Sequence, residues 1–410
     1  MKHSEEPAMG VLSDELKVSP EVHLQKGAIF SPFTSPNQPT RLRILHADTD
    51  DVENPLGGGQ PVRTLAINSR LAQTHEVTVL TSVYKGSERS VVRHGVKYRR
   101  LGFRVPGLGL SPHLTFLAAL GMAARRFPHD LVVEEFTPPV GFCGLPFWTK
   151  SPVVLMVQWY FFEQWERRYR LPLKRWMRLI GSRKRYKFVI VQTDAMAKEL
   201  APFITGALFR KIPCGVDATA FVAPKIPGDY VLFLGRLDLD HKGLDLLLDG
   251  WVRVCSKHAI PLVLAGEGPA REHIERVIRD NRLEHLVRLV GWVDGPAKRE
   301  LLAGCRILAM PSRYETFGLA ALDAMAASKP VVCFNIPHLN EVARPPWAHW
   351  VPNIDVIQFA DAIAELWKRP QECAEMGALA RQQANGYRWD EIARQQESFY
   401  REVIRAHSSQ

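Results

Sequence analysis

The predicted fold rests on one segment of sixteen residues. It reads Pro311-Ser312-Arg313-Tyr314-Glu315-Thr316-Phe317-Gly318-Leu319-Ala320-Ala321-Leu322-Asp323-Ala324-Met325-Ala326. The apolar run 307–310 before it ends at Pro311, and Pro followed by Ser is typical of a strand end. After a short polar loop, Leu319, Leu322 and Met325 recur at helical spacing. The pattern predicts a strand, a loop and a helix, with Glu315 delivered to the carboxyl end of the strand.

The same loop predicts an anion site. The amides of Phe317, Gly318 and Leu319 would stand at a helix N-terminus, where unpaired N–H groups and the helix dipole favour negative charge. Gly318 lacks a Cβ atom, so a phosphate can approach its backbone closely. Asp323 follows Glu315 by eight positions, so one carboxylate can face a sugar and the other a nucleoside. The simpler alternative is an ordinary strand–loop–helix with an acidic N-terminus.

A second segment adds positive charge. In Gly235-Arg236-Leu237-Asp238-Leu239-Asp240-His241-Lys242-Gly243, a strand ends at Gly235 and a helix starts near Lys242. The planar guanidinium of Arg236 and the ammonium of Lys242 would project from this turn and neutralise a diphosphate. Two ordinary surface cations are the alternative interpretation.

Both segments resemble the retaining glycosyltransferases of GT-B fold, in particular the large family four, glycosyl transferases group 1. The first resembles that family's Glu-x7-Glu motif, with Asp323 in place of the second Glu, and the second resembles its Gly-Arg-x5-Lys-Gly donor signature. In that family the first Glu lies against the donor sugar and the second binds the ribose. Since Asp is one methylene shorter, a water would bridge that contact here. The resemblance implies three catalytic residues, namely Arg236, Lys242 and Glu315.

The implied fold class is α/β, with two Rossmann-like doubly wound domains facing across a cleft. A first strand at 41–47, a Gly-rich loop, a helix at about 61–74 and a strand at 76–81 match the opening of such a sheet. Further strands are predicted at 130–134, 153–158 and 188–192, and helices at 356–379 and 389–406. The predicted divisions are a disordered leader at 1–40, an acceptor-side domain at 41–210, a nucleotide-sugar domain at 211–387 and a helix at 388–410 that returns to the first domain.

Further donor-site positions come from the loops and from the resemblance. The backbone of Gly58 and Gly59 could close on a diphosphate, although a flexible turn explains them equally well. No Gly-x-Gly-x-x-Gly fingerprint is present, which argues against a nicotinamide or flavin cofactor. In relatives, backbone atoms after the strand at 287–291 hold the nucleobase, so Val293 is the base-contact candidate. The predicted donor-binding set is Gly58, Gly59, Val293, Phe317, Gly318, Leu319 and Asp323.

The acceptor side departs from the family pattern. Where the family often carries a His at the end of the strand at 153–158, this chain has Gln158 followed by Trp159, and these two are the acceptor-side candidates. No catalytic His is assigned. Glu341 matches the family, but the glycines that usually precede it are missing from 335–340, which would narrow the donor-sugar pocket.

Composition bounds the class of protein and its partners. The chain has 410 residues and a formal net charge of +10, enough length for two cores and a charge that favours anionic partners. Its six cysteines are scattered without a Cys-x-x-Cys pair, as in reduced proteins. No apolar run reaches the length of a membrane span, and residues 1–40 lack a signal-peptide pattern. The predicted location is the cytoplasm.

A basic and aromatic segment follows Trp159. Between Arg167 and Lys187 the sequence has ten Lys or Arg and no acid, with aromatic residues interleaved. Such a mixture is typical of a segment that binds the anionic inner face of a membrane or an acidic acceptor. It would also fit nucleic acid, which we do not expect as a partner, or a solvated helix with inward aromatics.

The predicted function is transfer of a sugar from a nucleoside-diphosphate sugar to a glycan, glycolipid or small-molecule acceptor. Retention of configuration is implied by the resemblance. No metal or cofactor is expected, because Arg236, Lys242 and helix amides supply the positive charge and Asp238 and Asp240 fit turn residues. Alternatives are a non-catalytic nucleotide-sugar or anionic-membrane binding protein, a nucleotide-sugar epimerase of the same shape, and a nucleic-acid binder.

Overall fold

The computed structural model describes residues 41–54, 60–108, 111–136, 143–160, 166, 174–175, 185–224 and 228–409. The predicted leader at 1–40 and the glycines Gly58 and Gly59 lie outside these ranges. The strands are β1 (Arg43–Ala47), β2 (Glu76–Ser82), β3 (Ser90–Arg93), β4 (Val96–Leu101), β5 (Leu131–Phe136), β6 (Val153–Val157), β7 (Phe188–Val191), β8 (Leu208–Lys211), β9 (Tyr230–Leu234), β10 (Leu262–Ala265), β11 (Val287–Gly291), β12 (Cys305–Met310), β13 (Val331–Phe334) and β14 (Ala348–Val351).

Helices alternate with these strands. They are α1 (Gln60–Leu71), α2 (Ser111–Arg126), α3 (Asp194–Leu200), α4 (Leu244–Arg253), α5 (Arg271–Asp280), α6 (Gly295–Gly304), α7 (Leu319–Ala326), α8 (Leu339–Val342), α9 (Val356–Trp367), α10 (Pro370–Ala384) and α11 (Trp389–Ser408). Short 3-10 turns occur at Leu145–Phe147, Ala218–Ala220, Cys255–His258 and Asn385–Tyr387.

The first sheet has eight strands in the order β3-β4-β2-β1-β5-β6-β7-β8. All neighbours are parallel except β3 and β4, which pair antiparallel at the edge. Strands β5, β6 and β7 are buried along their whole length, as expected for a parallel sheet covered on both faces. The order changes direction between β1 and β5, so the loops after these two strands border a crevice.

The second sheet has six parallel strands in the order β11-β10-β9-β12-β13-β14. Counted from β9, this is the doubly wound order 3-2-1-4-5-6. The change of direction falls between β9 and β12, and ligands of such sheets bind outside the carboxyl ends of the strands at that point. The predicted α/β class with two doubly wound sheets is therefore confirmed.

Several predicted element boundaries were wrong, most by one to three residues. The first strand begins at Arg43 rather than Arg41, and the first helix ends at Leu71 rather than Thr74. The largest error is the single helix predicted at 356–379, which is two helices that break before Pro370. Proline lacks an N–H and disfavours helical geometry in the residue before it. Accordingly Arg369 takes φ −121° and ψ 69°.

The last helix, α11, packs across the first sheet's unit. A buried guanidinium on α1, that of Arg63, donates to Gln396 Oε1 at 2.8 Å. The rings of Phe188 and Phe399 meet edge to face at 6.5 Å. At the start of the helix, buried Trp389 lies over Gly215, where a Cβ atom would stand 2.5 Å from the indole. The helix therefore ties the chain after the second sheet back onto the first.

We expect Trp389→Ala to lower the free energy of unfolding by about 3–5 kcal/mol, because it removes a large buried aromatic and leaves a cavity. The control is Arg394→Ala on the same helix, whose side chain is 73% exposed and whose loss should cost within about 0.5 kcal/mol. Urea denaturation of both variants gives the comparison. Equal midpoints for the two variants would contradict the structural role of Trp389.

Candidate active site

The loops after β9 and β12 meet at the switch point of the second sheet. His241 O accepts hydrogen bonds from the amide of Arg313 at 2.9 Å. The guanidinium of Arg313 in turn forms two hydrogen bonds with the carboxylate of Asp245, at 2.8 and 2.6 Å. Gly243 takes φ +64°, and a Cβ atom there would stand 2.0 Å from Pro311 O, so only glycine fits. The two loops predicted to hold the donor are thus locked together.

Lys242 and Glu315 form the centre of this junction. Lys242 Nζ lies 2.6 Å from Glu315 Oε1. Ser312 Oγ donates to the same oxygen at 2.8 Å. The Glu315 side chain is 8% exposed and that of Lys242 is 26% exposed, so the pair sits at the mouth of the crevice with the ammonium nearer solvent. A predicted catalytic acid and a predicted cation are therefore brought into direct contact.

Arg236 lies in the same turn but points outward. Its side chain is 59% exposed, and its guanidinium stands 3.5 Å from Asp238. The preceding Gly235 is close to Lys242, since a Cβ atom at Gly235 would be 4.0 Å from Lys242 Cε. Asp238 accepts from the amide of His241 at 2.8 Å, which fits its interpretation as a turn residue. Arg236 thus has the reach and the freedom to fold onto a bound anion.

The turn at Phe317, Gly318 and Leu319 starts α7 beside this ion pair. Gly318 is the N-cap residue with φ 96°, and a Cβ atom there would lie 2.6 Å from Leu339 Cδ1. The buried Phe317 ring packs edge to face on Tyr387 at 6.1 Å, which fixes the turn. Amides of a first helical turn lack partners inside the helix. Those of α7 follow Glu315 closely in the chain, and their use as an anion site stays a prediction.

Asp323 is engaged by a residue that sequence reasoning missed. Asp323 Oδ2 lies 2.9 Å from Lys298 Nζ, and burial raises the pKa of this carboxyl. Lys298 belongs to α6, so Asp323 is tied to the helix that follows the base-contact candidate Val293 in the chain. Trp292 beside Val293 is 72% exposed, a large indole also overlooked. Neither residue had a signal, because an isolated Lys or Trp carries no motif.

The acceptor-side candidates lie deeper than their sequence position suggested. Gln158 is 4% exposed at the end of β6. Its Oε1 accepts a hydrogen bond of 3.4 Å from Gln192 Nε2 at the end of β7. Trp159 is half-buried. The residue that reaches out from this strand end is Tyr160, which the sequence did not single out.

Tyr160 contacts the second domain through His338. The Tyr160 hydroxyl hydrogen-bonds to His338 Nε2, and Thr193 Oγ1 lies 2.7 Å from His338 Nδ1. His338 takes φ 69°, a left-handed conformation at the segment where the family's glycines are missing. Instead of simply narrowing the pocket as predicted, its side chain bridges the two domains. Burial lowers the pKa of His338 and favours the neutral ring.

Glu341 forms a second contact between the domains. Its two carboxylate oxygens accept from the amides of Asp194 and Ala195 at 2.9 Å, at the N-terminus of α3. Lys211 Nζ lies 3.4 Å from the same carboxylate. The favourable helix end and the cation hold this carboxylate in place. The two domains are therefore joined at the cleft by His338 and Glu341 as well as by α11.

A buried polar cluster lies at the switch point of the first sheet. His46 Nε2 is 3.0 Å from Glu135 Oε1, and burial raises the pKa of Asp48 to about 7. Ligand atoms of His46, Asp48 and Glu135 lie within 4.8 Å of one another. Asp48 already accepts from Gln60 and Thr64 at 2.8 Å, which accounts for its carboxylate without an ion. Independence of metal stays a prediction.

Most of the basic segment Arg167–Lys187 lies outside the described residues. Lys174, Arg175 and 185–187 are described, and the Arg185 guanidinium stands 4.5 Å over the ring of Phe147. Binding of an anionic membrane through this segment therefore stays a prediction. Among the described residues, we find no helix with the length and apolar character needed to cross a membrane.

Comparison with known proteins assigns the two halves of the chain. Residues 228–369 match the profile of Glycosyl transferases group 1, and residues 57–220 match that of Glycosyltransferase Family 4. The chain belongs to the group 1 glycosyltransferases of GT-B fold.

Individual relatives of this glycosyltransferase are distant. A phosphatidyl-myo-inositol mannosyltransferase of Mycobacterium leprae is 30% identical over 195 residues, 45% of this chain and 51% of that protein. An MMP alpha-(1->4)-mannosyltransferase of Mycolicibacterium hassiacum is 24% identical over 247 residues, 58% of this chain and 60% of that protein. A 114-residue match to an uncharacterized Methanocaldococcus jannaschii glycosyltransferase reaches 34% identity but covers 28% of this chain and 29% of that one. The matches thus span between 29% and 60% of the length of these relatives.

Solved structures support the same fold. Sucrose-phosphate synthase from Thermosynechococcus elongatus superposes with a TM-score of 0.74 at 21% identity, covering 89% of this glycosyltransferase and all of that chain (100%). Anabaena HepE in complex with UDP and glucose gives a TM-score of 0.68 at 17% identity, covering 88% and 99%. At such identities the similarity establishes the fold, while substrates must be argued from the site.

The bridge through His338 predicts an acid-sensitive contact between the domains. Because burial lowers the pKa of His338 below the ordinary 6.5, its ring is protonated at a higher pH in the unfolded chain than in the folded one. The stability that the neutral ring contributes is therefore lost as the pH falls below 6.5. We expect the wild type to lose more thermal stability than His338→Gln when the pH drops from about 7 to about 5. Equal losses measured by calorimetry would refute the role of this ring.

Proposed function

We propose that this protein transfers a sugar from a nucleoside-diphosphate sugar to a hydroxyl of a glycan, glycolipid or small-molecule acceptor, with retention of configuration. The observation that carries the proposal is the contact between Lys242 and Glu315 at the switch point of the second sheet, just before α7 begins. One negative diphosphate and one sugar would satisfy these groups together.

The leaving group sets the main requirement. When the bond between the anomeric carbon and the phosphate oxygen breaks, the electron pair stays on the diphosphate, whose charge must be stabilised as it grows. Lys242 and the amides of Phe317, Gly318 and Leu319 supply fixed positive charge there. Arg236, which is exposed in this structure, would fold onto the phosphate from the other side of the turn.

The carboxylate of Glu315 stabilises the donor sugar as the bond to the phosphate breaks. In the ligand-free pair it neutralises Lys242, so an incoming diphosphate takes over part of that ammonium's interaction. Ser312 keeps the Glu315 carboxylate in its orientation through its 2.8 Å hydrogen bond. Placed against the donor sugar, Glu315 offsets positive charge that develops on the anomeric carbon. The acceptor hydroxyl then attacks from the same face and gives its proton to the departing phosphate, which preserves the configuration.

The nucleoside would lie beyond the phosphates at Val293. Backbone atoms of Val293 meet the base edge, the exposed indole of Trp292 offers a stacking surface, and Asp323 with Lys298 faces the ribose. Relatives carry different names, among them mannosyltransferases and a protein solved with UDP and glucose. We therefore propose a nucleoside-diphosphate hexose as the donor class. Polysaccharide or glycolipid assembly and natural-product glycosylation both fit this class.

A non-catalytic nucleotide-sugar binding protein is the second candidate. It is favoured by two departures in the site: Asp323 is tied to Lys298, and Gln158 stands where relatives often have a His. Such a protein would bind donor tightly and release no nucleotide.

We expect Lys242→Ala to lower the rate of nucleotide release by roughly 10²–10³-fold, the usual effect of losing one stabiliser of a developing anion. A panel of nucleotide sugars screened by thermal shift first identifies the donor, because a bound ligand raises apparent stability. Release of the nucleoside diphosphate is then followed with an acceptor panel.

Lys368→Ala is the matched control for that experiment, since Lys368 is an exposed lysine paired with Glu365 on the far end of α9. It should keep wild-type turnover. Unchanged turnover in Lys242→Ala would overturn the proposed mechanism. Donor binding without transfer to any acceptor would instead support the second candidate.

A further inference from the structure

The solvent-facing side of α2 is apolar. Leu114 and Met122 are 53% and 65% exposed, and exposed Ala118 lies between them at a spacing of four residues, which aligns the three along one helix face. A surface helix of a globular protein ordinarily presents charged and polar residues to water. The described neighbours leave this face of α2 open.

The loop before α2 extends the apolar surface. Phe103, Val105 and Leu108 are all exposed large side chains of this loop. Thr115 on α2 fixes the loop, because its Oγ1 accepts from Phe103 N at 2.9 Å and donates to Phe103 O at 2.8 Å. Ser111 Oγ accepts from Val105 N at 2.8 Å in the same way. The apolar side chains are thus held outward by a hydrogen-bonded loop.

Aromatic residues continue the surface at the other end of α2. Trp148 packs on Gly121, where a Cβ atom would stand 2.3 Å from the indole. The Arg125 guanidinium lies 4.9 Å over Trp148, and that of Arg185 lies 4.5 Å over Phe147. Between these groups is an open hollow of about 670 Å³, whose lining includes Lys150. The Trp148 indole and the Phe147 ring are therefore each covered by a guanidinium.

The exposed charges on the segments that form this surface are positive. Residues 101–108, 111–128 and 143–151 contain no Asp or Glu. The exposed charged residues of the region are Arg104, Arg125, Arg126, Lys150 and Arg185. The next acid in the chain, Asp130, is paired with Arg43 at 2.5 Å. An apolar face whose own segments carry exposed cations and no acid complements a surface that is apolar inside and anionic at its boundary.

We propose that this α2 surface, formed by 103–108, the exposed face of α2, Phe147, Trp148 and the surrounding cations, docks on an anionic lipid bilayer. Leucine, methionine and phenylalanine side chains would enter the headgroup boundary, Trp148 would lie at the interface, and the arginines would pair with lipid phosphates. A protein partner would ordinarily meet a rim of both charges, and nucleic acid offers no apolar interior for Leu114 and Met122. The surface shares only Arg185 with the segment Arg167–Lys187.

The position of this surface relates it to the proposed acceptor site. The loop at 103–108 follows the carboxyl end of β4, the edge of the first sheet at which β1 and β6 also end. The proposed acceptor side is at that edge. The 103–108 end of the α2 surface would therefore bring a bound bilayer beside the cleft, where an amphipathic acceptor could enter without leaving the interface. Docking itself does not depend on sugar transfer.

Cosedimentation of the full chain with vesicles tests the proposal. We expect binding to vesicles of phosphatidylcholine with about 30% phosphatidylglycerol, and at least tenfold weaker binding to phosphatidylcholine alone, because basic residues add affinity near an anionic surface. The double variant Leu114→Ser with Met122→Ser should reduce binding to the anionic vesicles at least tenfold, and Arg125→Glu with Arg126→Glu should do the same.

Matched controls lie on the second domain. Ile354→Ser with Ile357→Ser removes two comparably exposed apolar side chains, and Arg253→Glu reverses an exposed cation; all should bind vesicles as the wild type does. Circular dichroism and melting temperatures check that each variant is folded. Nucleotide release with a soluble acceptor is measured separately, so a failure of docking is distinguished from a failure of the proposed transfer.

Three outcomes would overturn the proposal. They are no binding to anionic vesicles, binding that is equal with and without phosphatidylglycerol, and binding that the Leu114 and Met122 substitutions leave unchanged. A dimer of the wild type that these substitutions abolish, without vesicle binding, would assign the face to a second copy of the chain.

Discussion

The ion pair between Lys242 and Glu315 is the contact on which the site depends. It joins the loop after β9 to the loop after β12, the two loops that flank the change of direction in the second sheet. Because the Glu315 side chain is mostly buried, its carboxylate needs the Lys242 ammonium and the Ser312 hydroxyl to offset its loss of hydration. The diphosphate that we propose as the leaving group would compete with Glu315 for this ammonium, whose position the ion pair already fixes.

The second constraint is the fixed relation of the two domains. The helix α11 covers the first domain, while His338 and Glu341 reach across at the cleft. These contacts are polar and few, whereas the α11 contacts include buried aromatics. Because separation of α11 would expose buried aromatic side chains to water, we expect α11 to act as the permanent connection and the His338 and Glu341 contacts to part when the domains open for substrates.

Positive charge is arranged in two different ways on this protein. At the second sheet, Lys242 and Arg236 belong to one short turn, a compact arrangement that suits a diphosphate. On the first domain, cations surround the apolar α2 surface over a broad area, which suits an extended anionic boundary. The formal net charge of +10 reports only the sum of these arrangements. Their geometry decides which anion each can bind.

The sequence determined the α/β class, the group 1 resemblance and the two donor loops, because their motifs are local: a strand end, a glycine and a helix start place a side chain without help from distant residues. The sequence pattern predicted one helix through Pro370, because apolar residues keep helical spacing on both sides of the proline. Tertiary structure alone decided that Lys298 engages Asp323, that His338 bridges to Tyr160, and that one face of α2 remains exposed. Each of these depends on segments far apart in the chain, so no local spacing could report it.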